Sequence, residues 1–168
     1  MKEKIISGIQ QIGIGVLDVR EAWKWYKNNF GVDIRMFEES AVAEHMLPYT
    51  GGKPQKRHAA LAINLQGGGG FEIWQYVERK PLSPEFQVQL GDLGLFAAKI
   101  KCCDARAAYN FLKGNGVEMI SGLLVDPRGK EHFFVKDPYG NIFQLVTSFT
   151  WFKNEKKPTG AAYGAIIG

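Results

Sequence analysis

Two segments of the chain carry apolar residues at the spacing of one helix face. The first predicts a helix over residues 19–30, with Asp18 as its N-cap and Gly31 as its stop. The second, over residues 104–116, repeats the scheme, with Asp104 as cap and a Gly-Asn-Gly stop. The apolar faces consist of Val19, Ala22, Trp23, Tyr26 and Phe30 in the first helix, and Ala105, Ala108, Phe111 and Leu112 in the second.

Strand-like segments surround both helices in the same order. One precedes each helix, at residues 9–16 and 95–102, and alternation with turn residues predicts the others. These are residues 34–39, 58–65 and 71–76 in the first copy, then 119–125, 132–135 and 142–147 in the second. The segments that follow the two helices are offset by 85 residues, so the chain is predicted to be a duplication of a βαβββ unit. Between these segments, residues 66–70 are predicted to form a hairpin loop, 41–56 an irregular insert and 80–94 the linker.

The last two predicted strands are joined by the turn sequence at residues 137–141, Asp-Pro-Tyr-Gly-Asn. Proline fixes its own φ and keeps the preceding residue out of the helical region, while Gly and Asn tolerate positive φ. The strand after this turn contains Gln144 among apolar residues. A polar side chain there is a candidate ligand for a substrate or a metal, although an amide is a poorer metal ligand than a carboxylate.

Composition narrows the function classes. The 168 residues are 45% hydrophobic, enough for one domain with a real core. Lys and Arg exceed Asp and Glu by 21 − 17 = 4, but the basic residues are scattered, which argues against nucleic-acid binding. Since no apolar stretch reaches the ~20 residues of a membrane span and no signal peptide is evident, we expect no membrane partner and a cytoplasmic location. Cys102 and Cys103 are adjacent, so they are either structural thiols or a reactive pair.

The residues around the first helix and the last turn carry a family resemblance. The two βαβββ units, the entry segment 11–18 and the Asp-Pro-Tyr-Gly-Asn turn followed by Gln144 resemble the vicinal oxygen chelate superfamily, which includes glyoxalase I, bleomycin-resistance proteins and extradiol dioxygenases. The resemblance implies an α+β fold in which two tandem βαβββ modules form an open, eight-stranded, cup-like sheet with the helices outside. The domain would span residues 1–152, with modules at about 6–80 and 93–150.

The resemblance also implies where a metal would bind. Members that use a metal take one ligand from the first strand and one from the last strand of each module. Here those positions hold Gln11 and Glu72 in the first module, but Ala97 and Gln144 in the second, where the family has His and Glu. One carboxylate, two amides and a methyl group make an incomplete shell. We therefore expect no metal cofactor, unless another chain supplies the missing ligands.

Alternation assigns further side chains to the cup. If residues 61, 63 and 65 face the helix, then His58, Ala60, Ala62 and Asn64 face the cup. His45 and His132, like His58, are more typical of surface or strand-end positions than of metal ligands. The aromatic rings beside Glu72 either fill the core or stack on a flat ligand. Lys99 is either a solvated edge residue or part of an anion clamp. The predicted ligand-binding set is Gln11, His58, Asn64, Trp74, Tyr76, Lys99 and Gln144, with Glu72 as the candidate catalytic base.

Two functional hypotheses follow. The first is a glyoxalase/dioxygenase-like domain with an incomplete metal site, which binds a small organic ligand in its cup or supports a catalytic second half. The alternative is an active, metal-dependent glyoxalase-type lyase or isomerase that uses Glu72, with a homodimer partner completing the site. Residues 153–168 are predicted to be a charged linker followed by an apolar strand. That strand is either the first one of a missing module or a private extra strand.

Overall fold

The computed structural model describes residues 9–64, 69–82 and 85–147. Two helices and nine strands follow one another along these residues, with a 3-10 helix, Glu44–Tyr49, between the second and third strands. The first module contains β1 (Gln11–Gly15), α1 (Val19–Phe30), β2 (Ile34–Ala43), β3 (Gln55–Ile63) and β4 (Gly70–Tyr76). The second contains β5 (Ala97–Cys102), α2 (Ala105–Gly114), β6 (Glu118–Met119), β7 (Leu124–Val125), β8 (Glu131–Lys136) and β9 (Ile142–Thr147). The predicted α+β class is confirmed.

Both helices begin and end where the sequence predicts. The Asp18 carboxylate accepts hydrogen bonds from the amides of Arg20 and Glu21, and Gly31 ends α1 with a left-handed φ of 64°. In α2, the Asp104 side chain accepts from the amide of Ala107. These caps satisfy backbone donors that have no partner within a helix, which fixes the two helix starts.

The first module forms a four-stranded sheet in the order β1-β4-β3-β2. β1 runs parallel to β4, and the other neighbours are antiparallel. The helix α1 covers one face of this sheet, where Phe71 and Ile73 are buried with Val19 and Ala22. Side chains at the alternate positions of each strand lie on the opposite side, which we call the open face.

The second module repeats this arrangement in a second sheet, ordered β5-β9-β8-β6, with β7 also paired to β8. The strand predicted at residues 119–125 is present as two short strands. Its interruption has a local cause: the amides of Ile120 and Ser121 both donate to the carbonyl of Phe134, and the Ser121 hydroxyl accepts from the Phe134 amide. This bulge-like pairing removes several residues from the regular ladder.

The predicted irregular insert at residues 41–56 is shorter than expected. Strand pairing continues through Ala41–Arg57, Val42–Lys56 and Ala43–Gln55, so β2 and β3 extend into both ends of the segment. His45 lies on the exposed surface of the 3-10 helix between them. Alternation in the sequence missed this extension because Ala41, Val42 and Ala43 form a continuous apolar run, not an alternating one.

The two modules share one hydrophobic core. Tyr26 and Phe30 of α1 contact Phe71 of the first sheet and Phe143 of the second, with ring centroids between 4.8 and 6.2 Å apart. The Tyr26 hydroxyl also donates a 2.5 Å hydrogen bond to the buried carboxylate of Asp137, in the turn between β8 and β9. The docking of the modules therefore depends on aromatic packing around one buried polar pair.

In the part of the chain that the structure describes, each strand pairs only within its own module. The single eight-stranded cup and the domain limits thus stay predictions. The expected linker and final strand at residues 153–168 lie outside the described residues, as do residues 65–68 of the predicted hairpin loop. No helix among the described residues has the length and apolar character needed to cross a membrane.

Gly70 marks a close approach of two strands, and its replacement tests the sheet register. A Cβ atom at this position would lie 2.0 Å from the carbonyl oxygen of Ala62. We predict that Gly70→Ala lowers the free energy of unfolding by about 2 kcal/mol, because the backbone must shift. Urea denaturation measures this. Gly13→Ala is the control, since its Cβ would meet nothing within 4 Å; equal losses in both variants would contradict the register.

Removal of the Tyr26 hydroxyl tests the contact between the modules. We predict that Tyr26→Phe costs about 1–3 kcal/mol of unfolding free energy, because a buried carboxylate loses a donor. Burial, and then the Asp137 carboxylate, raise the pKa of Tyr26 above its ordinary value of 10.0. The stabilisation is thus complete below about pH 10 and decreases above it, where the unfolded chain releases the proton and the folded chain keeps it.

Urea denaturation at pH 8 and pH 11 measures both effects. The stability of the wild type should fall more than that of Tyr26→Phe between these two pH values. Tyr109→Phe is the control, because Tyr109 packs against Phe133 within the second module. If Tyr109→Phe and Tyr26→Phe had the same effects, the Asp137 contact would not contribute to module docking.

Candidate functional site

The open face of the first sheet brings together the two polar residues singled out in the first module. In the parallel pairing of β1 with β4, Glu72 lies opposite Gly13, two residues beyond Gln11. The Gln11 amide nitrogen donates a 2.7 Å hydrogen bond to a carboxylate oxygen of Glu72. Both side chains are half-buried. The amide orients the carboxylate, which leaves a negatively charged acceptor fixed on the sheet.

The corresponding positions of the second module have the same strand register. In the first module, Glu72 pairs with Gly13, which is two residues after Gln11. In the second module, Gln144 pairs with Lys99, which is two residues after Ala97. Ala97 and Gln144 are therefore the structural counterparts of Gln11 and Glu72. The equal register is consistent with the expected equivalence, and the second module offers one amide and one methyl group there.

This donor set does not fit a resident divalent metal. A tight site needs several anionic or imidazole ligands at short range, and these four positions supply one carboxylate. Within the described ranges, no group of three or more His, Cys, Asp or Glu side chains is placed to hold an ion.

Aromatic and basic side chains continue the open face beyond Glu72. Trp74 and Tyr76 lie on this face, with ring centroids 6.0 Å apart and ring planes 72° apart. The Arg57 guanidinium lies 4.6 Å from the centroid of Trp74, and that of Arg79 lies 5.6 Å from the centroid of Tyr76. The predicted placement of the two rings beside Glu72 is confirmed; their part in ligand binding stays a prediction.

These rings line a cavity of about 490 Å³ at the end of β1 and β4. Its size lies within the range of small-molecule sites. The lining residues are Gly15, Val16, Trp74, Tyr76, Arg79, Lys80, Pro81 and Leu82.

The predicted placement of His58 and Asn64 on the cup side is wrong. Ala60 and Ala62 pair with the helix-facing residues of β4 and belong to the core, so the alternate positions of β3 face the opposite way from the prediction. The ring nitrogen Nε2 of His58 lies 3.1 Å from a carboxylate oxygen of Glu38. The buried Asn64 donates to the carbonyl of Phe30 at the end of α1.

The reversed alternation places Arg57, not His58, on the open face. Arg57 pairs across the strands with Tyr76 and forms an ion pair with Glu39 on the neighbouring strand β2. Its side chain is only 16% exposed. The sequence analysis missed both Arg57 and Arg79. Arg57 immediately precedes His58, so an alternation shifted by one residue would have placed it on the open face.

On the second sheet, Lys99 and Gln144 share the open face with Phe134 and His132. Lys99 is exposed and Gln144 half-buried. The ring nitrogen Nδ1 of His132 is buried and has no hydrogen-bond partner in the structure. His132 is the second residue of β8, near the strand end expected for it, and lies on the same face as Gln144.

The two cysteines differ in their surroundings. Cys102 is buried in the core, and burial raises the pKa of its thiol to about 12. Burial also raises the pKa of Cys103, which is half-buried. Since the thiolate is the nucleophile, both environments oppose its formation and favour structural thiols over a reactive pair.

The fold and this site define a class of small α+β proteins with two mixed sheets and two helices. A family model, the Glyoxalase/Bleomycin resistance protein/Dioxygenase superfamily, matches residues 8–145. The chain belongs to this superfamily, so the expected membership is confirmed. A comparison with curated proteins returned no match.

Solved structures support the same fold. A glyoxalase family protein from Bacillus cereus has a TM-score of 0.69 and 13% identity, over 88% of this chain and 97% of its own. One from Enterococcus faecalis has a TM-score of 0.60 and 21% identity, over 82% and 95%. A glyoxalase I mutant from Zea mays has a TM-score of 0.55 and 18% identity, over 84% of this chain and 45% of its own.

Proposed function

We propose that this chain is a ligand-binding member of the superfamily, which holds a small organic molecule against its open sheet face without a resident metal. The observation that carries the proposal concerns the first and last strands of each module. These strands pair in the same register in both modules, but the side chains at the corresponding positions differ. Glu72 and its partner Gln11 occupy one pair of positions, whereas Ala97 and Gln144 occupy the other. This pattern supports a two-module site that keeps its backbone arrangement while most of its metal ligands are replaced.

The cup predicted from the family resemblance is part of this proposal. Both sheets have an open face that carries half-buried polar residues, Glu72 on one and Gln144 on the other. If the sheets curve around a common space, these two residues would approach the same ligand from two sides. Glu72 would be its acceptor for a hydroxyl or amide proton, or the base if the domain is catalytic.

The alternative is a metal-dependent lyase or isomerase that uses Glu72 and takes further ligands from a second chain. The same incomplete site also fits a domain that supports a catalytic second half of a longer protein. The cytoplasmic location and the absence of nucleic-acid and membrane partners stay predictions. Metal content and ligand-induced stabilisation separate these alternatives.

Metal analysis tests the incomplete site. We predict far less than one Zn, Ni, Mn or Fe per purified chain, because a single carboxylate with amides binds such ions weakly. Elemental analysis after mild dialysis measures this. Ala97→His combined with Gln144→Glu should then create binding, with each single variant as a control. About one ion per wild-type chain would favour the metal-dependent alternative, and no gain in the double variant would contradict the strand equivalence.

Glu72→Gln tests the binding role of the carboxylate. Glutamine keeps the shape and can still bond Gln11, so we predict a change in stability below about 1 kcal/mol. A thermal-shift screen of small hydroxy, oxo and carboxylic compounds should find ligands that stabilise the wild type and lose at least half of their shift in the variant. Glu44→Gln, on the exposed surface, is the control. A screen without any stabilising compound would indicate a purely structural module.

A further inference from the structure

Trp74 exposes one side of its indole ring to the cavity that it lines. β4 lies between β3 and β1 in the sheet, so the two sides of the Trp74 ring meet different neighbours. Towards β3, the guanidinium of Arg57 lies 4.6 Å from the ring centroid. Towards β1, Trp74 pairs with Gly15, which has no side chain. The indole is therefore covered on the first side and faces the cavity on the second.

Gly15 leaves open space beside Trp74, although neither its backbone conformation nor its surroundings require a glycine. Its φ lies outside the left-handed region that glycine occupies at Gly31 and at the turns. A Cβ at Gly15 would meet nothing within 4 Å. Glycine weakens a strand interior, since it lacks a side chain to pack and loses more entropy on folding. The effect of glycine here is to keep the cavity open next to the indole.

The charged residues on the cavity wall are basic. Arg79 and Lys80 line it directly, and Arg79 lies over Tyr76. Arg57 adds a third cation behind the indole. Its Nη1 atom is buried without a hydrogen-bond partner, although the guanidinium also pairs with Glu39. A guanidinium recognises a carboxylate through charge-assisted hydrogen bonds, which makes this wall complementary to an anion.

We propose that this cavity binds a planar aromatic carboxylate. Its ring system stacks on Trp74 in the space above Gly15, and its carboxylate pairs with Arg79 and Lys80. The volume of about 490 Å³ suits a ligand of one or two fused rings. This inference rests on the proposed ligand-binding function and specifies the chemical class of the ligand.

Three probes of the same shape test the charge preference. Isothermal titration calorimetry compares 2-naphthoate with the neutral 2-naphthylmethanol and the cationic 2-naphthylmethylammonium. We expect 2-naphthoate to bind about tenfold more tightly than the alcohol, because charge-assisted hydrogen bonds add to the stacking. The ammonium probe should bind most weakly of the three. Equal affinity for all three probes, or a preference for the cation, would overturn the assignment.

Variants separate the aromatic and ionic contributions. Gly15→Val should weaken 2-naphthoate binding at least about tenfold by filling the space beside Trp74, with an unchanged or higher melting temperature, since valine favours strands. Arg79→Ala combined with Lys80→Ala should remove the preference for 2-naphthoate over the alcohol. Lys24→Ala combined with Lys53→Ala removes the same charge from exposed positions elsewhere and should leave both affinities unchanged.

The outcomes distinguish this inference from the function on which it rests. If the three probes bind equally and Gly15→Val abolishes their binding, the cavity is a ligand site but its preference for anions is wrong. If none of the probes binds while the thermal-shift screen finds ligands sensitive to Glu72→Gln, the ligand class is wrong and the proposed function stands. If the control pair weakens binding as much as Arg79→Ala with Lys80→Ala, the effect is one of net charge and the cavity assignment fails.

Discussion

The buried carboxylate of Asp137 is the constraint on which the arrangement of both modules depends. It accepts hydrogen bonds from the amides of Tyr139 and Asn141, from the Asn141 side chain, and from the hydroxyl of Tyr26. A buried carboxylate is costly unless such donors surround it. Three donors come from its own turn, and the fourth comes from the other module. The full set of partners exists only when the β8–β9 hairpin is closed and α1 is docked beside it, so the polar pair specifies both features together.

The two sheets share a strand register but carry different side chains at the corresponding positions. Glu72 and Gln144 have the same register relative to the first strands of their modules, yet one is a charged acceptor and the other a neutral amide. Neither position is needed for the core, which lies on the other faces of the sheets. Such positions can change chemically at little cost to stability, because they are only half-buried and lie outside the core. In the proposed function, the shared backbone register sets where a ligand binds, and the side chains at these positions set which ligand.

Local signals in the sequence predicted most of the fold. Helix caps, the Asp-Pro-Tyr-Gly-Asn turn and strand alternation depend on residues close together in the chain, and the structure confirms both helices and most strands. The exception that matters is β3, where Ala59, Ala60 and Ala62 are all fully buried. Small apolar residues on both faces leave no clear period of two. Which face meets α1 is settled by distant contacts, such as that of Asn64 with Phe30, which alternation cannot reveal.

This one-residue difference changes the character of the candidate site. With His58 and Asn64 on the open face, an imidazole and an amide would lie beside Glu72, which suits hydrogen bonding. The observed register instead places Arg57 there, against Trp74. A guanidinium stacked on an indole retains its charge, and it fixes the ring against one strand. The neighbouring Gly15 then leaves the opposite side of the ring free, so an aromatic surface and positive charge adjoin the Glu72–Gln11 pair. In the proposed function, recognition of a flat anion and orientation of its polar groups by Glu72 would both take place on this one sheet face.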